Sequence, residues 1–190
     1  MSHETRTQIY NRALSARDEM KPEDVERLSL DVQARVLGTQ EFRTALRVGL
    51  YAAYKNEVRT DRIFIEGDMH RKEIYYPAVD PERGGLSYFR VMDLEELMRT
   101  EEGFHEPHAE QSRLRNLDNL DVLIVPGVAF DLKGRRMGFG QGFYEKSLQH
   151  FRGKRIALAY EFQVVPELPT AIRDVTIDWI ATEKRVIRCQ

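Results

Sequence analysis

The stretch DVLIVPGVAFDLKGRRMGFGQGFYEKSL, Asp121 to Leu148, decides how the rest of the chain is read. Val122 to Val125 form a short apolar run, the kind shown by a strand covered on both faces. Further on, Gly138, Gly140 and Gly142 stand two apart, just before a segment to about His150 that reads as a helix. Strand, glycine turn and helix in succession point to a layered α/β fold. Glycines tolerate positive φ and close approach of a ligand. Successive N–H groups in such a turn can form a concavity for an anion, and Arg135 and Arg136 add positive charge beside it. The competing reading is an ordinary turn into a helix. The segment is not a Walker A loop, because no Gly-Lys-Ser/Thr follows. It also departs from the dinucleotide fingerprint. Its glycines read GxGxG, and they begin about a dozen residues after Val125 rather than directly off the strand.

Working outward, Arg155–Tyr160 and Val175–Thr182 read as further strands downstream. Upstream, Lys72–Val79 and Leu86–Val91 read as strands, and the alternation of Leu46, Val48, Leu50 and Ala52 predicts another. Thr60 to Met69 reads as a short helix with Thr60 as its cap. Asp93–Arg99 reads as a helical turn or two, and the polar, aperiodic stretch Thr100–Asn119 as a loop. Residues 4–48 read mostly as helix, restarting at Pro22, where Glu23 and Asp24 suit a first turn, and stopping at Gly38. No linker composition divides the chain. The expectation is one three-layer α/β domain over residues 1–190, with a mostly parallel central sheet and the N-terminal helical segment packed on it.

Composition narrows the function classes. Lys plus Arg (29) nearly balances Asp plus Glu (31), which argues against a nucleic-acid-binding surface. No apolar run approaches the length of a bilayer span, and MSHETRTQIYNR has no apolar signal region. Cys189 is the only cysteine, so internal disulfides and Cys-rich metal sites are excluded. His105 and His108 have no further His or Cys at zinc spacing. The expectation is a cytoplasmic monomer acting on small molecules, with neither nucleic acid nor membrane as partner.

PGVAFD followed by GRRMGFGQGFYEKSL resembles the signature segment of the 5-formyltetrahydrofolate cyclo-ligase family. LYAAYKNEVRT (50–60), EIYYPAV (73–79), Met92–Leu97, Gly103–Pro107, ALAYEFQVVPELP (157–169) and RDVTIDWIATEKRVI (173–187) resemble other family segments in the same order. The resemblance implies an enzyme that uses ATP and Mg²⁺ to close the N5-formyl group of 5-formyltetrahydrofolate onto N10. The products are 5,10-methenyltetrahydrofolate, ADP and phosphate, and the route is a phosphorylated formyl group. It places ATP along Arg6 and along Arg135, Arg136, Met137, Gly138, Phe139, Gly140, Gln141, Gly142, Phe143 and Tyr144, with Arg136 and Tyr144 at the chemistry. It places the reduced folate against Ala52 and Glu57 and against Gly140, Gln141, Gly142, Phe143 and Tyr144. It assigns Mg²⁺ to Glu145, where the family has Asp, and to Asp174. The chemistry is coherent: phosphoryl transfer needs positioning and charge neutralisation, and a carboxylate such as Glu57 can accept two parallel hydrogen bonds from a pterin edge.

The departures lie on the nucleotide side. Tyr10 stands where the family has an arginine, with Arg12 as a possible substitute cation; Glu145 replaces Asp; and Arg173 precedes Asp174 where His or Asn is commoner. Two alternatives therefore stay open. One is a non-catalytic paralogue that binds folate or nucleotide, and the other an ATP-dependent ligase for a different N-formyl or carboxylate substrate.

Overall fold

In the computed structural model, which describes residues 4–82, 84–140, 142–149, 151–170 and 175–190, Val122–Val125 is a strand whose alternate side chains enter two different cores. In chain order the helices are α1 (Arg6–Asp18), α2 (Pro22–Leu37), α3 (Gln40–Thr44), α4 (Asp61–Met69) and α5 (Phe143–Leu148). The strands begin with β1 (Arg47–Gly49), β2 (Glu73–Asp80), β3 (Gly85–Arg90), β4 (Leu97–Arg99), β5 (His105–Pro107) and β6 (Leu114–Arg115). They continue with β7 (Val122–Val125), β8 (Ala129–Asp131), β9 (Arg136–Met137), β10 (Lys154–Leu158), β11 (Val164–Val165), β12 (Trp179–Ala181) and β13 (Val186–Arg188).

The main sheet has the order β13-β12-β10-β7-β1-β2-β3-β6. β2, β1, β7, β10 and β12 run parallel, with Val48 opposite both Ile74 and Val122, and antiparallel strands close both edges. Val122 and Ile124 pack with Val32 and Val36 of α2 and with Ile63 and Phe64 of α4. Leu123 and Val125 pack on the opposite face with Leu148 of α5, Phe151 and Ile177. That split makes three layers and explains why VLIV is apolar throughout rather than alternating. Across the parallel strands the chain order reverses between β1 and β7. In open α/β sheets this switch point is where a crevice opens beyond the strands' C-terminal ends.

A second, three-stranded sheet, β11-β8-β9, grows from the segment after β7. Helix α1 packs there: Ile9 and Ala13 join Val128, Ala129, Met137, Val165 and Leu168 in a separate core. The N-terminal helical segment thus meets the main sheet through α2, while α1 covers the small one.

Several sequence expectations are corrected. The alternation from Leu46 to Ala52 yields a strand only over Arg47–Gly49, because the chain turns away at the switch point. Thr60 precedes α4 as expected, but its hydroxyl donates to Tyr51 O (2.7 Å) instead of capping the helix. Asp93–Arg99 is one short 3-10 turn followed by β4, which pairs with β5. The stretch read as a loop, Thr100–Asn119, therefore contains β5 and β6. Among the described residues no helix is long and apolar enough to cross a membrane.

Candidate functional site

A cavity of about 240 Å³ lies at the switch point. One wall is the segment leaving β1, with Tyr51, Ala52, Tyr54 and Glu57; the second is Pro126 and Gly127 leaving β7; the third runs from Arg136 to Glu145. Phe104, His105 and Glu106, at the β4–β5 pair, close the side.

The wall after β1 is fixed by its own hydrogen bonds. Tyr51 Oη donates to Val58 O (2.6 Å), and Asn56 Nδ2 donates to Arg17 O (2.9 Å) and Met20 O (3.1 Å), satisfying carbonyls at the end of α1. Between these anchors Glu57 is turned inward, only 5% exposed. Tyr54 N donates to its Oε2 (3.0 Å). Burial pushes the Glu57 carboxyl above the ordinary carboxylate range, opposed by the Arg17 charge, the Tyr54 amide and Arg136.

Arg17 is the residue that sequence reasoning missed as a site component. It is 1% exposed, and its Nη1 lies 3.8 Å from Glu57 Oε1 and donates to Gly127 O (3.2 Å). Its guanidinium carbon sits 5.0 Å from the centre of the Phe139 ring, a cation–π contact. Among the described residues its Nε and Nη2 have no hydrogen-bond partner, and each such buried donor costs about 1–3 kcal/mol. A signal was present in the sequence: Ile9, Ala13 and Arg17 fall four apart and form the buried stripe of α1.

The third wall centres on Arg136, whose Nε donates to Pro126 O (2.7 Å) and whose Nη1 donates to Glu145 Oε1 (2.9 Å). The guanidinium also lies 4.8 Å from the centre of the Tyr144 ring. Burial holds the Tyr144 phenol well above its ordinary pKa, so it is a neutral hydroxyl at the cavity. Gly138 is required by close approach: a Cβ there would lie 2.7 Å from Arg136 Nη1. Gly140 has φ +96°, a left-handed conformation that favours glycine. Among the described residues the amides of Gly138, Phe139, Gly140 and Gly142 donate to no backbone carbonyl.

The structure brings together Ala52, Glu57, Arg136, Gly138, Phe139, Gly140, Gly142, Phe143, Tyr144 and Glu145, all of which line the cavity. It does not bring Arg6, Arg135 or Met137 to it. Arg6 Nη1 donates to Pro169 O (2.6 Å). Arg135 turns to Leu168 O (2.6 Å), Glu167 (3.3 Å) and Asp131 (3.5 Å). Met137 is core between the small sheet and α1. The adjacent arginines of Gly134-Arg-Arg diverge: Arg136 opens β9 opposite Phe130, whereas Arg135, just before it, forms an isolated bridge with Thr176, and neighbours along an extended chain face opposite sides. Gln141 and Asp174, with Arg173, lie outside the described residues.

For the expected Mg²⁺, Glu145 offers one carboxylate at the cavity, with Oε1 on Arg136 and, among the described residues, no hydrogen bond to Oε2. Among the described residues no group of three or more His, Cys, Asp or Glu is placed to hold a metal. That donor set fits an ion carried mainly by phosphate oxygens and water, as Mg²⁺ commonly is.

Comparison with known proteins agrees with this geometry. The sequence profile of the 5-formyltetrahydrofolate cyclo-ligase family matches residues 2–183. The chain is 30% identical over 181 residues to the 5-formyltetrahydrofolate cyclo-ligase of Haemophilus influenzae, covering 93% of this chain and 97% of that protein. The solution structure of the Aquifex aeolicus 5,10-methenyltetrahydrofolate synthetase superposes with a TM-score of 0.85 at 33% identity, covering 97% of this chain and 93% of that one. A Mycoplasma pneumoniae 5,10-methenyltetrahydrofolate synthetase shares the fold, with a TM-score of 0.75 at 19% identity over 94% of this chain and 98% of that one.

Proposed function

The chain belongs to the 5-formyltetrahydrofolate cyclo-ligase family, and on that premise we propose that it is an ATP- and Mg²⁺-dependent enzyme converting 5-formyltetrahydrofolate to 5,10-methenyltetrahydrofolate. The observation carrying this reading is that the inward Glu57 carboxylate and the glycine segment, whose Gly138, Phe139, Gly140 and Gly142 amides have no backbone acceptor among the described residues, border one cavity at the switch point.

Glu57 accepts the paired N–H donors of the pterin edge and so fixes the ring system in the cavity. The loop amides and Arg136 hold the triphosphate and neutralise its charge. The formyl oxygen attacks the γ-phosphorus, the bond to the bridging oxygen breaks, and ADP leaves. N10 then adds to the formyl carbon, the carbon–oxygen bond breaks with loss of phosphate, and the N10 proton passes to solvent. Phosphoryl transfer of this kind is governed by placement and electrostatics. The arrangement supplies both through Arg136, clamped between Pro126 O and Glu145, and through the neutral Tyr144 hydroxyl. Glu145 would help hold Mg²⁺ with the phosphates, with Asp174 outside the described residues; when bound, the ion supplies further charge neutralisation.

The test is direct. Mixing the protein with 5-formyltetrahydrofolate and MgATP should produce methenyl absorbance with one ADP formed per turnover. Folate binding by calorimetry without product would leave only a binding protein, and ATP binding without folate binding would point to another substrate.

A further inference from the structure

Arg17 is an unusual solution for a helix face that otherwise buries Ile9 and Ala13. An apolar residue would suit that stripe, and a purely structural arginine would have its fork satisfied. Here Nε and Nη2 have no hydrogen-bond partner among the described residues, and the hydrogen bond, ion pair and ring contact of the cation go to walls of the cavity: Gly127 O after β7, Glu57 after β1, and Phe139 in the glycine segment. Glu57, for its part, receives a hydrogen bond at Oε2 from the Tyr54 amide, while its Oε1 has Arg17 as the near cation.

We propose that Arg17 is a positioning residue, the counter-charge that holds the Glu57 carboxylate seated and ready for the pterin edge from behind the cavity wall. The proposal rests on the folate reading above and adds to it the residue on which recognition depends. A carboxylate accepts the two pterin donors only when ionised, and burial works against that state. The charged and titratable groups facing Glu57 are Arg17 from α1, Arg136 from β9, and the phenols of Tyr51 and Tyr144. Burial keeps both phenols neutral. Arg136 is already bonded to Glu145. Removing Arg17 therefore leaves Glu57 with weakened electrostatic support and raises the pH at which it protonates.

The experiment measures 5-formyltetrahydrofolate affinity by calorimetry across the acid-to-neutral range, using the full chain and its variants Arg17→Gln, Arg17→Lys and Glu57→Gln. In the wild type, binding should weaken toward acid as Glu57 takes up a proton. Arg17→Gln should move that acid limb to higher pH by about one to two units and weaken binding at neutral pH by about tenfold or more. Arg17→Lys keeps the charge and should leave the limb within about half a unit. Glu57→Gln, which removes the titrating group, should abolish the limb. An unmoved limb in Arg17→Gln, equal displacement in both Arg17 variants, or a limb surviving Glu57→Gln would each overturn the role of Arg17 while leaving the cyclo-ligase reading intact. A wild-type protein that binds no 5-formyltetrahydrofolate at any pH would overturn that reading and this role with it. If Arg17→Gln fails to fold, Arg17→Met, which keeps the length of the side chain and removes its charge, takes its place with the same expected displacement, and an unmoved limb there would overturn the role equally.

Discussion

Single residues set the chemistry, and their contributions separate by wall. On the function proposed above Glu57 meets the folate: Glu57→Ala should weaken 5-formyltetrahydrofolate binding on the order of 10²-fold, as loss of charged hydrogen bonds does. MgATP affinity should stay within about twofold; calorimetry with each ligand checks it, and equal losses would remove Glu57 from its assigned place. Gly138 lies on the side proposed for the phosphates, where an added methyl group would press on Arg136 Nη1 and Glu145 Oε1. Gly138→Ala should lower kcat by about 10²-fold through misplacement of the Arg136–Glu145 pair, with thermal unfolding almost unchanged. The glycine segment was legible in the sequence because its spacing carries chemical meaning, whereas Glu57 was reached through the family resemblance, since nothing local marks that carboxylate as inward. Arg17 was not, since a charged residue in a helix reads as solvated surface and only its three-dimensional company makes it otherwise. Nor does a sequence reveal that Arg136 turns to Pro126 O and Glu145 while Arg135 beside it turns to Leu168 O and Glu167.

Among the elements, α1 links stability to the site. It begins with a capping box, in which Thr5 Oγ1 accepts from Gln8 N and Gln8 Oε1 accepts from Thr5 N (2.8 Å). It docks through Ile9, 3% exposed. Ile9→Ala should destabilise the fold by about 2–5 kcal/mol in urea unfolding, and Thr5→Ala by about 1 kcal/mol. The Ile9 variant should also lose folate affinity while still folded, because α1 carries Arg17 to Glu57; undiminished affinity would uncouple the helix from the site. The long elements were readable from periodicity and from Pro22 and Gly38. The short strands β4, β5, β6, β8, β9 and β11 were not, because two or three residues contain too little alternation to distinguish a strand from a loop.

For the molecule as a whole, the order β2-β1-β7-β10-β12 places the cavity where the segments leaving β1 and β7 and the glycine segment converge. The parallel core was foreseeable from the all-apolar VLIV run, whereas its order depends on pairings that no local pattern encodes. Ligands that bind only this convergence must stabilise the fold. At roughly 100 times the dissociation constant, either substrate should add about 2.7 kcal/mol. For a chain of this size the midpoint of thermal unfolding should then rise by about 5–10 °C; no rise with either ligand would contradict a site shared by these three segments.

The docking of α1 against residues 128–168 also has a consequence for biosynthesis. The helix leaves the ribosome before its partners, which are made more than a hundred residues later. At translation speeds of about 5–20 residues per second, its sticky side waits unprotected for roughly 5–30 seconds. Chaperone occupancy of the nascent polypeptide should therefore concentrate on this opening helix and end only when the small sheet emerges.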